Sequence, residues 1–198
     1  LGDAGAAAIG FDIVFSETDR TSPHALAKRF EATDPGVASQ LAALPDNDDQ
    51  LASIVGAYPV VLGFFLTPGA EGTQVAPKAG MVSLGTPPSS VANFGDAVVP
   101  LPKLVEPAAG LASLSILPDS DSVIRRAPLI GRQGDTILPS LSLESLRVAL
   151  QTDSVMIKTT DGSAEGSAPG DVVSVRVGDT EVPTNAAGEM WMYYSRAV

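Results

Sequence analysis

The sequence has no cysteine and a single histidine. Without cysteine, neither a disulfide scaffold nor a thiolate metal site can form. One histidine, His24, is too few for a zinc centre. A Ser-His-Asp triad would also need a G-x-S-x-G segment, which the sequence does not contain. We therefore expect His24 to be a solvated residue in the first turn of a helix that begins at Ser22-Pro23.

Positive charge is also scarce, since 12 lysines and arginines stand against 23 aspartates and glutamates, a formal net charge of −11. Such a chain repels a phosphate backbone, so we expect no nucleic-acid partner. Glycine-rich dinucleotide and P-loop motifs are absent as well. The sequence thus predicts no cofactor and no metal ion, and a small molecule or another protein as partner.

Long apolar runs are missing too. None reaches the roughly 18 residues of a membrane helix, and the best, AYPVVLGFFL, is typical of a buried strand. The chain begins at Leu1 rather than methionine and stops after WMYYSRAV, as if at the end of a strand. We interpret residues 1–198 as one domain excised from a longer membrane protein.

The first third of the chain alternates strand and helix signals. The stretch GFDIVF predicts a strand with Phe11, Ile13 and Phe15 on one face and Asp12 on the other. A helix then follows Pro23, with Leu26 and Phe30 as its inward stripe. A second helical piece covers VASQLAALPD, and Asp46 is suited to cap a third helix, roughly 48–57. PVVLGFFL, residues 59–66, is apolar on both faces, as in a parallel strand covered by helices.

The rest of the chain predicts loops and then hairpins. Residues 67–107 are rich in Gly, Pro and Ser, which indicates a long loop with a short strand at 81–84. Turns are predicted at 119–122, 133–135 and 178–179, a helix after Ser140, and a closing strand at 189–194. The fold class is therefore α/β, a single domain with a mixed β-sheet flanked by helices and a β-hairpin-rich second half.

Two acidic clusters, Asp46-Asn47-Asp48-Asp49 and Asp119-Ser120-Asp121, could offer oxygen ligands to calcium. Neither has the glycine and distal glutamate of an EF-hand loop. We interpret the first cluster as a helix cap with an acidic first turn, and the second as a turn. Arg125 and Arg126 follow on a predicted strand, where alternation would send them to opposite faces. One of them could grip an anionic ligand, or it could form an ion pair with Asp119 or Asp121.

The stretch FDIVF also resembles the strand that carries the aspartyl nucleophile of haloacid-dehalogenase phosphatases. Those enzymes need a second aspartate two positions further on, where this chain has Val14. A small-molecule hydrolase that uses Asp12 or Glu17 as its base is therefore an alternative function. A pure dimerisation module is another.

Several segments together are more specific, above all FDIVFSETDR, PDSDSVIRRAPL and PSLSLESLR. Over nearly the whole chain they resemble the type-two CHASE domain, the cyclase/histidine-kinase-associated sensory extracellular module of bacterial receptors. The signature positions that carry the resemblance are Asp12, Asp119, Asp121, Arg126 and Ser140. One departure is Asp121-Ser122, where the family usually has Asp-Gly, because serine adopts such turns less freely than glycine.

The resemblance implies a non-catalytic sensor at the extracytoplasmic, periplasmic face of the bacterial inner membrane. Membrane helices that are not present in this chain would flank it. A cytoplasmic adenylate or guanylate cyclase, or a histidine kinase, would follow. The stimulus would be a small molecule or a protein, and a homodimer is possible in such a receptor. The resemblance supplies no set of ligand-binding residues.

A ligand site can be predicted from the fold class, because ligands of open α/β sheets bind beyond the carboxyl ends of the strands. For the first predicted strand, that end is the loop 16–20. We therefore predict a ligand site at Ser16, Glu17, Asp19 and Arg20, with Arg125 as a neighbour. The alternative is that these side chains form a fixed network that shapes the loop. Asp12 is expected to be buried and to have a structural partner, a backbone amide or Arg20.

Overall fold

A computed structural model describes residues 1–163 and 167–194. The helices are a 3₁₀ turn at Gly2–Ala4, α1 (Pro23–Phe30), α2 (Pro35–Ala42), α3 (Asn47–Ala57), α4 (Pro102–Val105) and α5 (Leu141–Ala149). The strands are β1 (Ile9–Gly10), β2 (Val60–Thr67), β3 (Gly80–Leu84), β4 (Asp96–Val98), β5 (Gly110–Ser113), β6 (Arg126–Pro128), β7 (Ile130–Gln133), β8 (Thr136–Pro139), β9 (Ser154–Thr159), β10 (Val172–Val177), β11 (Thr180–Pro183) and β12 (Glu189–Trp191). The α/β class predicted from the sequence is confirmed.

The first sheet is built around β2. This strand pairs in parallel with β1 and β5 and antiparallel with β4. Five of its first six residues are fully or almost fully buried, as expected for a strand with apolar side chains on both faces. The main core forms on β2, with Leu62, Phe64 and Leu138 among its most buried side chains.

The second sheet has the strand order β11-β10-β9-β3. The β10–β11 hairpin turns at Gly178-Asp179, as predicted, and β3 joins parallel to β9. A separate core covers this sheet, centred on Val155, Ile157 and Val175. Two short pairs complete the β structure, the β7–β8 hairpin and the antiparallel pair of β6 with β12. The predicted hairpin-rich second half is thus present, although the strands divide among several sheets.

The predicted helix starts are confirmed. Asp46 caps α3 by accepting hydrogen bonds from the backbone N–H groups of Asp48 and Asp49, at 2.9 and 3.3 Å. Ser140 caps α5 by accepting from the N–H of Leu143 at 3.4 Å. The first helix follows Ser22, but its inward residue is Ala27, while Phe30 is 41% exposed. The prediction that Phe30 faces inward is therefore wrong.

The first strand is much shorter than the sequence predicts. β1 pairs only with Val60 and Val61 of β2, and the chain leaves the sheet after Phe11, whose N–H still donates to Val61 O at 3.0 Å. Ile13 is consequently 51% exposed, and Asp12 is exposed as well. The expectation that Asp12 is buried with a backbone amide or Arg20 as its partner is therefore wrong.

The segment 67–107 contains two elements that the sequence did not predict, β4 and α4. Its irregular part, 68–79, is anchored by hydrogen bonds, including Thr73 N–H to Asp96 Oδ1 at 2.6 Å. Gly95 approaches it so closely that a Cβ atom there would lie 2.2 Å from Gly69 O. The predicted strand at 81–84 is confirmed as β3.

Residues 164–166, which come after β9, and residues 195–198 lie outside the described residues. Within the described ranges, no helix combines the length and apolar character needed to cross a bilayer.

Candidate functional site

The predicted site loop, residues 16–20, is not at the end of a strand. Because β1 ends at Gly10, five residues of irregular chain separate the loop from the sheet edge. Glu17 and Arg20 form an ion pair whose side chains are 70% and 78% exposed. Ser16 is exposed beside them. The structure therefore brings Glu17 and Arg20 together at the surface, while Arg125 is bonded to Asp119 and Asp121 instead.

Asp19 faces α3 instead. Its carboxylate accepts hydrogen bonds from Asn47 Nδ2 and from the N–H and hydroxyl of Thr21, each at 2.7 Å. These three donors, with Asn47 contributing most, lower the pKa of Asp19. The Asp19 N–H in turn donates to the Asp48 carboxylate, with a shortest distance of 3.2 Å. These bonds tie the loop to the start of α3.

Asp46 is the second anchor between α1 and α3. Its Oδ2 accepts from Ser22 Oγ at 2.6 Å and lies 3.3 Å from His24 Nδ1. The Ser22 hydroxyl, helped by His24 and the amides of the α3 cap, lowers the pKa of Asp46 to about 2 from its ordinary 3.8. His24, half exposed, thus has a partner in this anchor.

Arg125 and Arg126 form a charge-paired turn with three acidic residues. Arg125 binds Asp121 through two hydrogen bonds, at 2.9 and 2.7 Å, and Asp119 at 3.1 Å. Arg126 binds Asp119 from the other side and reaches Glu189 on β12 at 3.0 Å. Both guanidinium groups therefore meet at Asp119. We call residues 119–126 with Glu189 the paired turn.

The prediction that Arg125 and Arg126 point to opposite faces is wrong. β6 begins only at Arg126, so strand alternation does not apply to Arg125. The predicted ion pair with Asp119 or Asp121 is present. The Arg125 hydrogen bonds, supported by the N–H of Val123, lower the pKa of Asp121 to about 2, and Arg126 and Arg125 lower that of Asp119. A mildly acidic medium therefore leaves Asp119 and Asp121 ionised.

The depressed pKa values of Asp46 and Asp121 predict how stability depends on pH. A carboxylate whose pKa is lower in the folded state stabilises the fold above its ordinary pKa, and this stabilisation disappears as pH falls through the folded value. We therefore expect wild-type stability to decline between about pH 3.8 and about pH 2. The variant Asp46→Asn with Asp121→Asn should decline less steeply in urea unfolding over this interval. Equal slopes in the wild type and in this variant would contradict the prediction.

Ser122 occupies the position where the sequence departs from the family pattern. Its φ is 64°, in the left-handed region, and its N–H donates to Asp119 O at 2.8 Å. The turn is thus formed with serine in place of glycine, at a conformational cost to the serine.

Ser122→Gly should therefore raise the free energy of unfolding by about 0.5–1 kcal/mol, because glycine adopts this conformation freely and only part of the gain is offset by unfolded-state entropy. Urea unfolding monitored by circular dichroism measures the change. The control is Ser120→Gly in the same turn, which has no positive φ to relieve and should be slightly destabilising. A loss of stability in Ser122→Gly would contradict the prediction.

A buried ion pair on α5 was not predicted from the sequence. Glu144 is completely inaccessible to solvent and Arg147 is 8% exposed. Arg147 donates two hydrogen bonds to the Glu144 carboxylate, at 2.9 and 2.8 Å, and two more to the carbonyls of Thr152 and Ala109. The pair raises the pKa of Arg147. An available signal was the Glu-x-x-Arg spacing, which places both side chains on one side of the helix.

A cavity of about 250 Å³ lies where β1, β5 and α5 meet. The Ser113–Ser140 bridge brings the carboxyl end of β5 against the start of α5. Asp12, two residues after β1, lines the cavity with the hydroxyl-bearing residues of this junction, which are Ser113, Ser115, Ser140 and Ser142. Apolar walls come from the same segments and from β6. This cavity, rather than the loop 16–20, occupies the strand-end position at which a ligand site was expected.

The polar side chains of the cavity differ in the hydrogen bonds that they form with the rest of the protein. Ser115 Oγ donates to Leu66 O and accepts from its N–H, at 2.9 and 2.7 Å. Ser140 and Ser142 contact each other, with 3.1 Å between their oxygens. Asp12 makes no hydrogen bond or ion pair with any residue in the ranges 1–163 and 167–194. The cavity thus combines one unpaired carboxylate with hydroxyls at the start of a helix.

Within the part of the chain that the structure describes, no three His, Cys, Asp or Glu side chains are arranged to hold a metal ion. The acidic cluster 46–49 caps α3, and Asp119 and Asp121 are held by arginines, so these carboxylates serve the roles that the sequence indicated.

Comparison with known proteins gives one match. The model of the CHASE2 domain family matches residues 1–197, which is essentially the whole chain. Searches of curated proteins and of solved structures found no match. The matched range includes the cavity, the paired turn and the buried pair of α5.

Proposed function

The chain belongs to the CHASE2 domain family, a family of extracellular sensory domains of signalling receptors, and on this premise we propose that it is the periplasmic sensor of a bacterial membrane receptor. Flanking membrane helices, outside this chain, connect it to a cytoplasmic adenylate or guanylate cyclase or to a histidine kinase. The extent of the family match, residues 1–197, carries the proposal, because every structural feature discussed above falls within it.

In such a receptor the stimulus acts by binding one of two arrangements of the domain more tightly than the other. The position of the cavity supports this. A smaller depression next to it shares Ser113 and Ser140 and is also lined by Glu189 of β12. Ala127 and Pro128 of β6 line the cavity itself and pair with Met190 and Glu189 of β12. A ligand in the cavity would therefore contact the strand that is paired with β12. The domain itself carries out no chemical step, in keeping with a sensory rather than catalytic family.

The hydrolase alternative receives no support from the site geometry. It required Asp12 or Glu17 to act as a base at the bottom of a deep pocket. Glu17 is instead ion-paired with Arg20 at the surface, and Asp12 lines a half-open cavity. The carboxylates of Asp12 and Glu17 therefore do not face a common pocket.

Location can be tested with the full-length receptor, using the absence of cysteine in this chain. Asp135→Cys places a single thiol at the exposed tip of the β7–β8 hairpin. In a receptor with all other cysteines replaced, a membrane-impermeant maleimide should label this thiol in intact cells. Ala112→Cys, at a completely buried position, is the matched control and should react only after denaturation. Labelling of Asp135→Cys only after cell lysis would overturn the periplasmic location.

The output can be tested by reading the gene on both sides of this chain. Membrane helices before and after it, followed by a cyclase or kinase domain, are the expected result. A complete open reading frame without them would refute the receptor proposal.

Homodimerisation is a separate part of the proposal. Sedimentation velocity over a range of protein concentrations measures it directly. The chain should dimerise as its concentration rises, and a monomer at every concentration would overturn this part of the proposal.

A further inference from the structure

We propose that the cavity between β1, β5 and α5 binds a small organic ammonium compound, with Asp12 as its counter-ion. That such a compound is the physiological stimulus rests on the proposed sensory function.

The first reason is the charge of the cavity. Asp12 is the one charged residue among those that line it. The acidic side chains of the neighbouring paired turn and of α5, by contrast, are each bound by an arginine. A carboxylate without a cation at the edge of a cavity favours a ligand that brings one.

The second reason is the shape and chemistry of the walls. Leu114, Ile116, Leu141 and Pro128 give the cavity apolar sides, while Ser142 offers a hydroxyl at its rim. A ligand with an apolar body and a single charged, hydrogen-bonding end matches this arrangement. The volume of about 250 Å³ restricts that body to a small one, such as a short alkyl or benzyl group.

The third reason excludes other ligand classes. An anion would face the unpaired Asp12 in a protein of net charge −11. The same charge attracts cations to the surface over a longer range. A metal ion would find only one carboxylate in the cavity, with hydroxyls that are weak ligands.

Nuclear magnetic resonance titration of the ¹⁵N-labelled chain tests the proposal with three probes of nearly the same shape. These are benzylammonium, benzyl alcohol and benzoate, each added as a titration series. Benzylammonium should shift the amide signals of residues 12, 114–116 and 140–142 saturably. Benzyl alcohol should bind roughly ten- to a hundredfold more weakly, since it lacks the charge-assisted hydrogen bond, and benzoate should not bind.

The variant Asp12→Asn should weaken benzylammonium binding by a similar factor, while its spectrum elsewhere shows that it is folded. Asp135→Asn is the control, since it removes one charge at an exposed position outside the cavity, and it should bind like wild type.

Three results would overturn the proposal. They are equal affinity for benzylammonium and benzyl alcohol, unchanged affinity in Asp12→Asn, and the absence of saturable shifts at the cavity with butylammonium as well as benzylammonium. None of them bears on the maleimide labelling or on the flanking gene sequence. Failure of the ligand assignment is therefore distinguishable from failure of the receptor proposal.

Discussion

Replacing Arg147 by methionine is expected to lower the free energy of unfolding by about 3–5 kcal/mol, because it leaves a buried carboxylate without its cation. Glu144 is fully inaccessible to solvent, and both of its oxygens are bound by Arg147. The substitution also removes the donors to the carbonyls of Thr152 and Ala109. Urea unfolding followed by circular dichroism gives the change directly.

The control is Arg125→Met, the same substitution in an arginine that also makes two hydrogen bonds to one carboxylate. Its pair with Asp121 is about half exposed on both sides, and water can replace the lost contacts. The loss should therefore be much smaller. A second comparison is the double variant Glu144→Leu with Arg147→Met, which removes both buried charges and should recover much of the loss. Similar losses in Arg147→Met and Arg125→Met would show that the buried pair contributes little.

Gln133→Leu is expected to cost about 2–4 kcal/mol, since it orphans two backbone groups at once. The Gln133 side chain, 2% exposed, accepts from the N–H of Val75 at 3.0 Å and donates to Thr73 O at 3.1 Å. Leucine fills a similar volume but can form neither bond. The amide of Val75 should then exchange its hydrogen faster than in wild type, together with its neighbours in 68–79.

Gln74→Leu is the matched control for this effect. Gln74 also donates its side-chain amide to backbone carbonyls, of Gly72 and Gly95, but from an exposed position. Its replacement should leave stability and hydrogen exchange almost unchanged. Unaltered exchange at Val75 in Gln133→Leu would mean that other contacts hold this segment in place.

Glu144 and Gln133 also show how far structure can be predicted from the sequence. Local patterns identified β2, the caps of α3 and α5, and the turns, because each depends on residues close together in the chain. Glu144 and Gln133 are polar residues in the most buried positions. The partner of Glu144 is Arg147 on the same helix. A partner of Gln133 is Val75, which lies 58 residues away in the chain. The spacing of Glu144 and Arg147 was therefore an available local signal, whereas no residue near Gln133 in the chain indicates the partners of Gln133.

The end of β1 was equally beyond local reasoning. The alternation of Phe11, Ile13 and Phe15 is that of a strand, yet a strand continues only where a neighbour is available to pair with it. Here β2 pairs with β1 at its start and with β4 from Phe65 onward. The rule that ligands bind at the carboxyl ends of strands was applied at the wrong place, because the strand ends five residues earlier than predicted. Applied to the observed end, the same rule leads to Asp12.

The pairing of β6 with β12 has a mechanical consequence. Beyond their three-residue ladder, Arg126 binds Glu189, the N–H of Met192 donates to Arg125 O, and the Tyr194 hydroxyl donates to Ile124 O. These bonds connect residues 189–194 to residues 124–128 along their whole length. The two segments should therefore move together as one rigid unit. A force that pulls on Tyr194 is therefore transmitted to the backbone of residues 124–128. Because Arg126 also binds Asp119, the same force reaches the tip of the paired turn.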